Sequence, residues 1–179
     1  MAVDLSSYNN STYNPGKGFL FRTLWYFTNL FFLMNRFLPF SGLKIALLRI
    51  FSARVGKGVI LKPGINIKYP WNVEIGNNTW IGEGAWLDSL EKISIGDNVC
   101  ISQGAYLCTG NHDYTKEAFD LITKPIVIES GVWVGAKAIV CPGVTLGSHS
   151  VITAGSVVTT DTKPYTVYQG NPAKAIRSR

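Results

Sequence analysis

The chain has 179 residues, 46% of them hydrophobic, which is enough to bury a core in one domain without the support of disulfides. Its three cysteines are an odd number without metal-ligand spacing, which argues against a disulfide framework or a zinc site and indicates thiols kept reduced in a cytoplasm. The net charge is +6, and residues 1–54 hold most of it, with six Lys or Arg against a single Asp.

Residues 1–54 form the first predicted unit, an apolar and basic segment that we expect to be helical. Its longest uncharged apolar run, residues 23–35, has 13 residues, whereas a membrane span needs about 20. Two interpretations stay open: helices that cap a repeat or pack between subunits, and a peripheral contact with an anionic membrane face. The aromatic residues cluster with Leu and Ile instead of alternating with basic residues, so we expect no nucleic-acid partner.

Residues 55–179 form the second predicted unit, and from Ile75 onward they repeat in sixes. Apolar positions six apart make no stripe on an α-helix, but they suit three flat strands per coil of a parallel β-helix. An antiparallel sandwich is the alternative, although its strand spacing would vary. Glycine often follows the aliphatic anchor, and we expect it to supply backbone freedom at the turn. The twelve anchors are Ile75, Ile81, Leu87, Ile95, Ile101, Leu107, Ile128, Val134, Val140, Leu146, Ile152 and Val158.

Two interruptions break the count. One step of eight residues indicates a small bulge at residues 89–92, and one step of twenty-one predicts a loop that protrudes at about residues 109–124. Loops held on rigid scaffolds often carry chemistry. The long loop contains His112, a side-chain type suited to proton transfer near neutral pH. The other histidine, His149, lies at a corner of the unbroken repeat, where a solvated turn explains it.

Several stretches carry a more specific signal. They are Ile95-Gly96-Asp97-Asn98-Val99, Pro142-Gly143-Val144-Thr145-Leu146-Gly147, Gly170-Asn171-Pro172-Ala173, Tyr69-Pro70-Trp71, Trp80-Ile81-Gly82-Glu83 and Tyr106-Leu107-Cys108-Thr109-Gly110-Asn111-His112-Asp113. Together they resemble the hexapeptide-repeat acyltransferases, and within that superfamily the colanic-acid-type acetyltransferases of exopolysaccharide assembly. The resemblance covers about residues 45–179.

The resemblance implies a left-handed parallel β-helix and a homotrimer with active sites between neighbouring prisms. It also implies acetyl transfer from acetyl-CoA, without a metal, to a hydroxyl of a sugar or of a lipid-linked glycan. His112 corresponds to the family's general base, which takes the proton of the attacking alcohol. The expected location is the cytoplasm, with the inner face of the membrane as a further possibility.

One departure from the family concerns the residue that assists the base. Galactoside and maltose O-acetyltransferases carry an asparagine where this chain has Gly82. We therefore consider Asp88 and Asp113 as candidates for orienting His112. The candidates for contacting the acceptor are Asn111, Tyr114 and Trp86.

The resemblance also places the pantetheine arm of acetyl-CoA in a groove between adjacent subunits. Trp133 matches a family aromatic near that arm. Thr159 and Thr160 stand on the following edge, where relatives often have a lysine. Backbone groups of the coil and basic groups of the C-terminal tail complete the candidate cofactor site: Gly135, Ala136, Ala154, Asn171, Lys174 and Arg177.

The residues also bear on other functions. A metal-dependent enzyme of the γ-carbonic-anhydrase kind would need several imidazole ligands, and the chain has two histidines. A non-catalytic β-helix scaffold and an N-acetyltransferase acting on an amino sugar stay open as alternatives. A covalent route through Cys108 or Cys141 has no activating base beside either thiol in the sequence.

Overall fold

The computed structural model describes residues 3–179, and it is a parallel β-helix preceded by short helices. A 3₁₀ turn at Leu5–Ser7 opens the described chain. Helix α1, Phe19–Thr28, continues into a π-helical turn at Asn29–Leu33, and helix α2 spans Ser41–Ile50. Within residues 3–179, none of the helices has the length and apolar character needed to span a bilayer.

Nineteen short strands follow, with a 3₁₀ turn at Pro70–Asn72 between the third and the fourth. They are β1 (Arg54–Val55), β2 (Ile60–Leu61), β3 (Asn66–Ile67), β4 (Val73–Ile75), β5 (Trp80–Ile81), β6 (Trp86–Asp88), β7 (Ile93–Ile95), β8 (Cys100–Ile101), β9 (Tyr106–Cys108), β10 (Gly110–His112), β11 (Leu121–Thr123), β12 (Ile126–Ile128), β13 (Trp133–Val134), β14 (Ile139–Val140), β15 (Thr145–Leu146), β16 (Val151–Ile152), β17 (Val157–Val158), β18 (Thr166–Gly170) and β19 (Ala173–Ser178).

Three sheets form the walls of the prism. Sheet A has the order β1-β4-β7-β12-β15, sheet B the order β2-β5-β8-β13-β16-β18-β19, and sheet C the order β3-β6-β9-β14-β17. Apart from β10 and β11, the strands from β1 to β17 pass in turn from A to B to C, so every three make one coil, and neighbouring coils pair in parallel. The antiparallel hairpin of β18 and β19 ends the prism. The predicted parallel β-helix is confirmed.

The six-residue period is the period of the core. All twelve predicted anchors are buried, the most accessible being Ile95 at 4%. They stack in register from coil to coil, with Ile75 paired to Ile95 and Leu87 to Leu107. The small residues four positions after an anchor are buried as well, for example Ala85 and Ala105. Ladders of like side chains therefore fill the prism, as the spacing predicts.

The glycine that follows an anchor has a different role from the expected one. A Cβ on Gly82 would lie 2.6 Å from the carbonyl carbon of Ser102, and a Cβ on Gly135 would lie 2.6 Å from the nitrogen of Ala154. The left-handed backbone lies two residues later, for example at Gly84 with φ of 66°. The expectation of backbone freedom at these positions is wrong, because what they need is space for the adjacent coil.

The N-terminal segment covers the open end of the prism. Peptide groups of the first coil have no preceding coil to pair with, and a buried unpaired peptide group is costly. Side chains of the helical segment take their place on all three sheets. On sheet A, Arg49 donates to Val55 O at 2.9 Å, and on sheet B, Leu61 N donates to Ser41 Oγ at 2.9 Å. On sheet C, Trp25 Nε1 donates to Ile67 O at 3.0 Å, and Ile67 N donates to Asn29 Oδ1 at 3.3 Å.

Candidate active site

The predicted loop is a β-hairpin. It leaves the prism after β9 on sheet C, pairs β10 with β11 in antiparallel fashion, and returns through β12 on sheet A. His112 pairs with Leu121 near the end of this hairpin. The hairpin therefore stands at the corner between sheets C and A.

The two interruptions of the repeat, the small bulge and the hairpin, are joined by hydrogen bonds. Thr109, at the base of the hairpin, is fully buried, and its hydroxyl donates to Asp88 O at 2.6 Å. The same hydroxyl accepts from Glu91 N, in the small bulge, at 3.0 Å. Lys124 N donates to Thr109 O at 2.9 Å, where the hairpin returns. The bulge thus fixes the base of the hairpin on the preceding coil.

The orientation of His112 is fixed by a backbone carbonyl. Its Nδ1 lies 2.8 Å from Phe119 O, and its ring lies almost parallel to the Phe119 ring, with the centroids 4.4 Å apart. A carbonyl oxygen can only accept a hydrogen bond, so Nδ1 carries the hydrogen and Nε2 keeps its lone pair. This is the tautomer that a general base acting through Nε2 requires.

Phe119 holds its carbonyl in place with a strained backbone. Its φ of 50° lies in the left-handed region, which costs a residue with a Cβ about 1–2 kcal/mol. Its own N–H donates to Lys116 O at 3.2 Å, within the hairpin turn. Strain of this kind persists where surrounding contacts determine the geometry, and here it lies at the residue that orients His112.

Neither candidate carboxylate is hydrogen-bonded to His112 in the described part of the chain. Asp113 accepts from the hydroxyl and the N–H of Thr115, and these bonds lower the pKa of the Asp113 carboxyl. Asp88 accepts from the hydroxyl of Tyr106 at 3.2 Å. Burial, above all, raises the pKa of Tyr106, which therefore stays a neutral donor. The orienting contact expected from Asp88 or Asp113 belongs instead to a carbonyl.

A cavity of ≈490 Å³ borders His112, and the N-terminal segment forms one of its walls. Tyr8 lies against the imidazole, with ring centroids 5.7 Å apart. Tyr13 donates to Leu90 O at 2.7 Å, and burial raises its pKa, so its hydroxyl stays protonated. Sequence reasoning missed this wall, because no motif links the first 15 residues to a hairpin a hundred residues later.

The three candidates for acceptor contact are not brought together. Asn111 accepts the backbone N–H of His112 at 2.8 Å through its own side chain. Tyr114 is 76% exposed in the hairpin turn. Trp86 stacks on Tyr106 on the outer face of sheet C, with centroids 4.7 Å apart, and it lines a separate groove.

The cofactor candidates lie on two edges of the prism. Trp133 is exposed on sheet B, and its indole donates to Ser102 Oγ at 2.9 Å. Ala136 and Ala154 lie in successive coils of the corner between sheets B and C, and Gly155 N donates to Ala136 O at 2.9 Å. Lys174 and Arg177 belong to β19 on sheet B, and Asn171 lies in the turn between β18 and β19. Gly135 lies directly against the backbone of Ala154 in the next coil. Thr159 and Thr160 follow β17, at the corner between sheets C and A.

One chain does not bring Trp133, Ala136 and Ala154 together with His112, although Thr159 and Thr160 lie at the same corner of the prism as the hairpin. The hairpin stands between sheets C and A, whereas Trp133, Ala136 and Ala154 lie on sheet B and at its corner with sheet C. The width of sheet C separates the two sets. A complete site that uses both would need a neighbouring copy of the chain.

The thiols lie half-buried on the walls of the prism. The S–H of Cys108 donates to Gly110 O at 2.9 Å, and burial raises the pKa of the Cys141 thiol, to which Cys108 adds a smaller effect. Within residues 3–179, no three His, Cys, Asp or Glu side chains form a group that could hold a metal ion.

Comparison with protein families gives one match in the last coils. Residues 125–160 match the family described as bacterial transferase hexapeptide (six repeats). The chain is 41% identical over 133 residues to the colanic acid biosynthesis acetyltransferase WcaF of Escherichia coli strain K12, covering 74% of this chain and 73% of that one. It is 34% identical over 135 residues to the galactoside O-acetyltransferase of the same organism, covering 74% of this chain and 66% of that one.

Solved structures show the same architecture. A hexapeptide-repeat acetyltransferase from Vibrio cholerae, complexed with acetyl coenzyme A, superposes with a TM-score of 0.80 at 31% identity, covering 89% of this chain and 87% of that one. A galactoside acetyltransferase in complex with coenzyme A superposes with a TM-score of 0.74 at 29% identity, covering 89% and 78%.

Proposed function

The chain belongs to the hexapeptide-repeat acetyltransferases, and from this premise we propose that it moves an acetyl group from acetyl-CoA to a hydroxyl of a sugar or glycan intermediate, with His112 as general base. The observation that carries the proposal is the contact of His112 Nδ1 with Phe119 O at 2.8 Å. It leaves Nε2 free to accept a proton, and the cavity that His112 lines is large enough for a sugar ring.

The imidazole would activate the acceptor alcohol at neutral pH. An alcohol is a weak nucleophile, so a base within hydrogen-bond reach takes its proton as it attacks. Bound acetyl-CoA would supply the thioester carbonyl that receives this attack. The carbonyl of Phe119 would then accept a stronger hydrogen bond from the imidazolium that His112 becomes.

The donor site would lie along the ridge formed by Trp133, Ala136 and Ala154. Small side chains at the corner leave room beside the backbone, and Trp133 offers an exposed aromatic face. Lys174 and Arg177, exposed on β19, are suited to the nucleotide phosphates. Because His112 and this ridge lie on different edges of one chain, the proposal includes a homotrimer in which the hairpin of one copy meets the ridge of the next.

The relatives in the comparisons support a sugar as the acceptor. They act in colanic acid biosynthesis and on galactosides, so the proposed acceptor is a sugar hydroxyl of a cell-surface polysaccharide intermediate. N-acetylation of an amino sugar is the second candidate. An amine attacks without a strong base once it is deprotonated, so a strict dependence on His112 favours oxygen.

The decisive experiment replaces His112 by Ala and measures the release of coenzyme A with a panel of glycosides and lipid-linked saccharides. We expect kcat to fall about 10²- to 10⁴-fold. Acetyl-CoA binding, measured by calorimetry, should stay unchanged. His149→Asn is the matched control, because asparagine tolerates the φ of 57° at this corner, and it should keep full activity. An active His112→Ala variant together with an inactive Cys108→Ser variant would overturn the proposal.

A further inference from the structure

A second, apolar groove lies beside the His112 cavity. It has a volume of ≈630 Å³ and runs between helix α1, the π-helical turn and the outer face of sheet C. Its apolar lining includes Phe19, Tyr26, Phe27, Leu30, Met34 and Trp86. All six side chains are substantially exposed, with Phe19 at 71% and Leu30 at 39%. Exposed apolar surface of this kind is typical of a region that contacts an apolar partner.

The two spaces are adjacent and share part of their walls. Arg22, Lys68 and Tyr69 line both the apolar groove and the cavity that contains His112. Two cations, Arg22 and Lys68, therefore lie at the boundary between the cavity that His112 lines and the apolar groove.

Among the described residues, Arg22 and Lys68 have no anionic partner. In the described range, residues 3–179, no ion pair joins Arg22 or Lys68 to a carboxylate. The Nε of Arg22 is buried and lacks a hydrogen-bond partner among those residues. A buried donor without a partner is costly, and a bound anion would satisfy it. Guanidinium groups are well suited to phosphate, which they bind through two parallel hydrogen bonds.

On the basis of the proposed acetyl transfer, we propose that the acceptor is a saccharide carried on a lipid diphosphate. Its sugar would occupy the cavity at His112, its diphosphate would bind Arg22 and Lys68, and the start of its lipid would lie in the apolar groove. A nucleotide sugar also offers a diphosphate, but its second half is a polar nucleoside, which does not match a trough of aromatic and aliphatic side chains.

The test uses farnesyl diphosphate as the probe and measures its binding to the full chain by calorimetry. We expect it to bind about ten- to a hundredfold more tightly than inorganic pyrophosphate, farnesol or a uridine diphosphate sugar, because it alone offers both charge and apolar surface. The double variant Arg22→Gln, Lys68→Gln should weaken the binding of farnesyl diphosphate about ten- to a hundredfold, and that of farnesol hardly at all.

A matched pair of variants tests the groove itself. Leu30→Glu places a charge in the apolar lining and should weaken farnesyl diphosphate binding about tenfold or more. Leu20→Glu changes a residue of helix α1 that is 82% exposed and outside the groove, and it should have no effect.

Each outcome has a defined meaning. Equal or tighter binding of the uridine diphosphate sugar would overturn the proposal in favour of a nucleotide-linked acceptor. Failure of farnesyl diphosphate to bind, or equal effects of Leu30→Glu and Leu20→Glu, would overturn it as well. Since the probe carries no sugar and no acetyl group, these failures leave the acetyl transfer and the role of His112 intact. Those are tested separately by acetyl-CoA binding and by His112→Ala.

Discussion

The orientation of His112 depends on a backbone carbonyl and not on an acidic side chain. Phe119 contributes its carbonyl to Nδ1 and its ring to the imidazole face. A carboxylate in that place would stabilise the protonated imidazole more strongly. A neutral carbonyl fixes the same tautomer while leaving the histidine a ready acceptor, which suits the base of a step that begins with neutral imidazole.

The thiols offer a test of direct transfer at the residue scale. Burial, and secondarily Cys108, raises the pKa of Cys141 above its ordinary value of 9.0. A raised pKa means less thiolate at any given pH, so alkylation by iodoacetamide should be slow near neutrality and should rise only at higher pH than for an unhindered thiol. Mass spectrometry of the Cys141 peptide after timed labelling between pH 6.5 and 10 measures this.

Cys108→Ser provides the control for this titration. Removing the neighbouring thiol should shift the labelling curve of Cys141 slightly toward lower pH, because one of the two causes is gone. Rapid labelling of Cys141 at pH 7 would instead show an activated thiol. That result would revive a covalent acetyl-cysteine route.

At the scale of elements, the close approach of successive coils determines which residues the repeat accepts. A Cβ on Gly82 would lie 2.6 Å from the carbonyl carbon of Ser102 and 2.7 Å from Gln103 N, both of them backbone atoms. Backbone held in a β-helix cannot give way as the end of a flexible side chain can. An asparagine at this position would therefore require the next coil to move.

The substitution Gly82→Ala tests this contact. We expect it to destabilise the protein by about 3 kcal/mol, since overpacking against backbone forces a shift of the coil. Gly42→Ala is the matched control: Gly42 lies in helix α2 with nothing near its Cβ position, so alanine there should stabilise by up to about 1 kcal/mol. Urea unfolding of the two variants gives the comparison, and equal midpoints would refute the steric account.

The same contact explains how far the sequence predicts the fold. The anchors are predictable because an inward-pointing position recurs with the period of the coil, so one look at spacing identifies Ile75 and Ile95 as core. The role of Gly82 is not predictable from the sequence, because its partner Ser102 is twenty residues away and the contact is with the backbone. The need for glycine at this position depends on the distance between successive coils, and that distance cannot be inferred from the residue types.

The candidate site likewise has features that the sequence predicts and features that it does not. His112 is predictable because the repeat fails around it, and a break in a regular scaffold is visible in the spacing. The contribution of Phe119 is not predictable, because a carbonyl is common to all residues and leaves no signature of type. Tyr8 and Tyr13 are hidden for another reason, since they reach the site only after the N-terminal segment has folded back along the prism.

At the scale of the whole molecule, the two ends of the prism are closed differently. The N-terminal segment gives side-chain partners to the first coil, and Trp25, Leu33 and Leu48 join the hydrophobic core of the coils. The last coils are closed by the hairpin of β18 and β19, and Arg179 returns to donate to Gly131 O at 2.8 Å. Because both ends of the prism carry additional elements, we expect the chain to associate through its side walls and not by end-to-end stacking.

Association through the side walls leads to the last prediction, subunit complementation. Two inactive variants are prepared: His112→Ala, which lacks the base, and Ala154→Trp, which places a bulky ring at an exposed position of the proposed donor ridge. Each alone should be inactive. When they are unfolded together in equal amounts and refolded, the proposed trimer forms each site from the hairpin of one chain and the ridge of the next. About a quarter of the sites then receive an intact hairpin and an intact ridge, so about a quarter of wild-type activity should return.

Mixing the folded variants without refolding is the control and should restore little, because assembled trimers exchange subunits slowly. If His112 and the ridge of one chain served the same site, no mixture would regain activity, since every chain carries one defect. The recovered fraction therefore measures directly whether the width of sheet C separates the base from the donor within each chain.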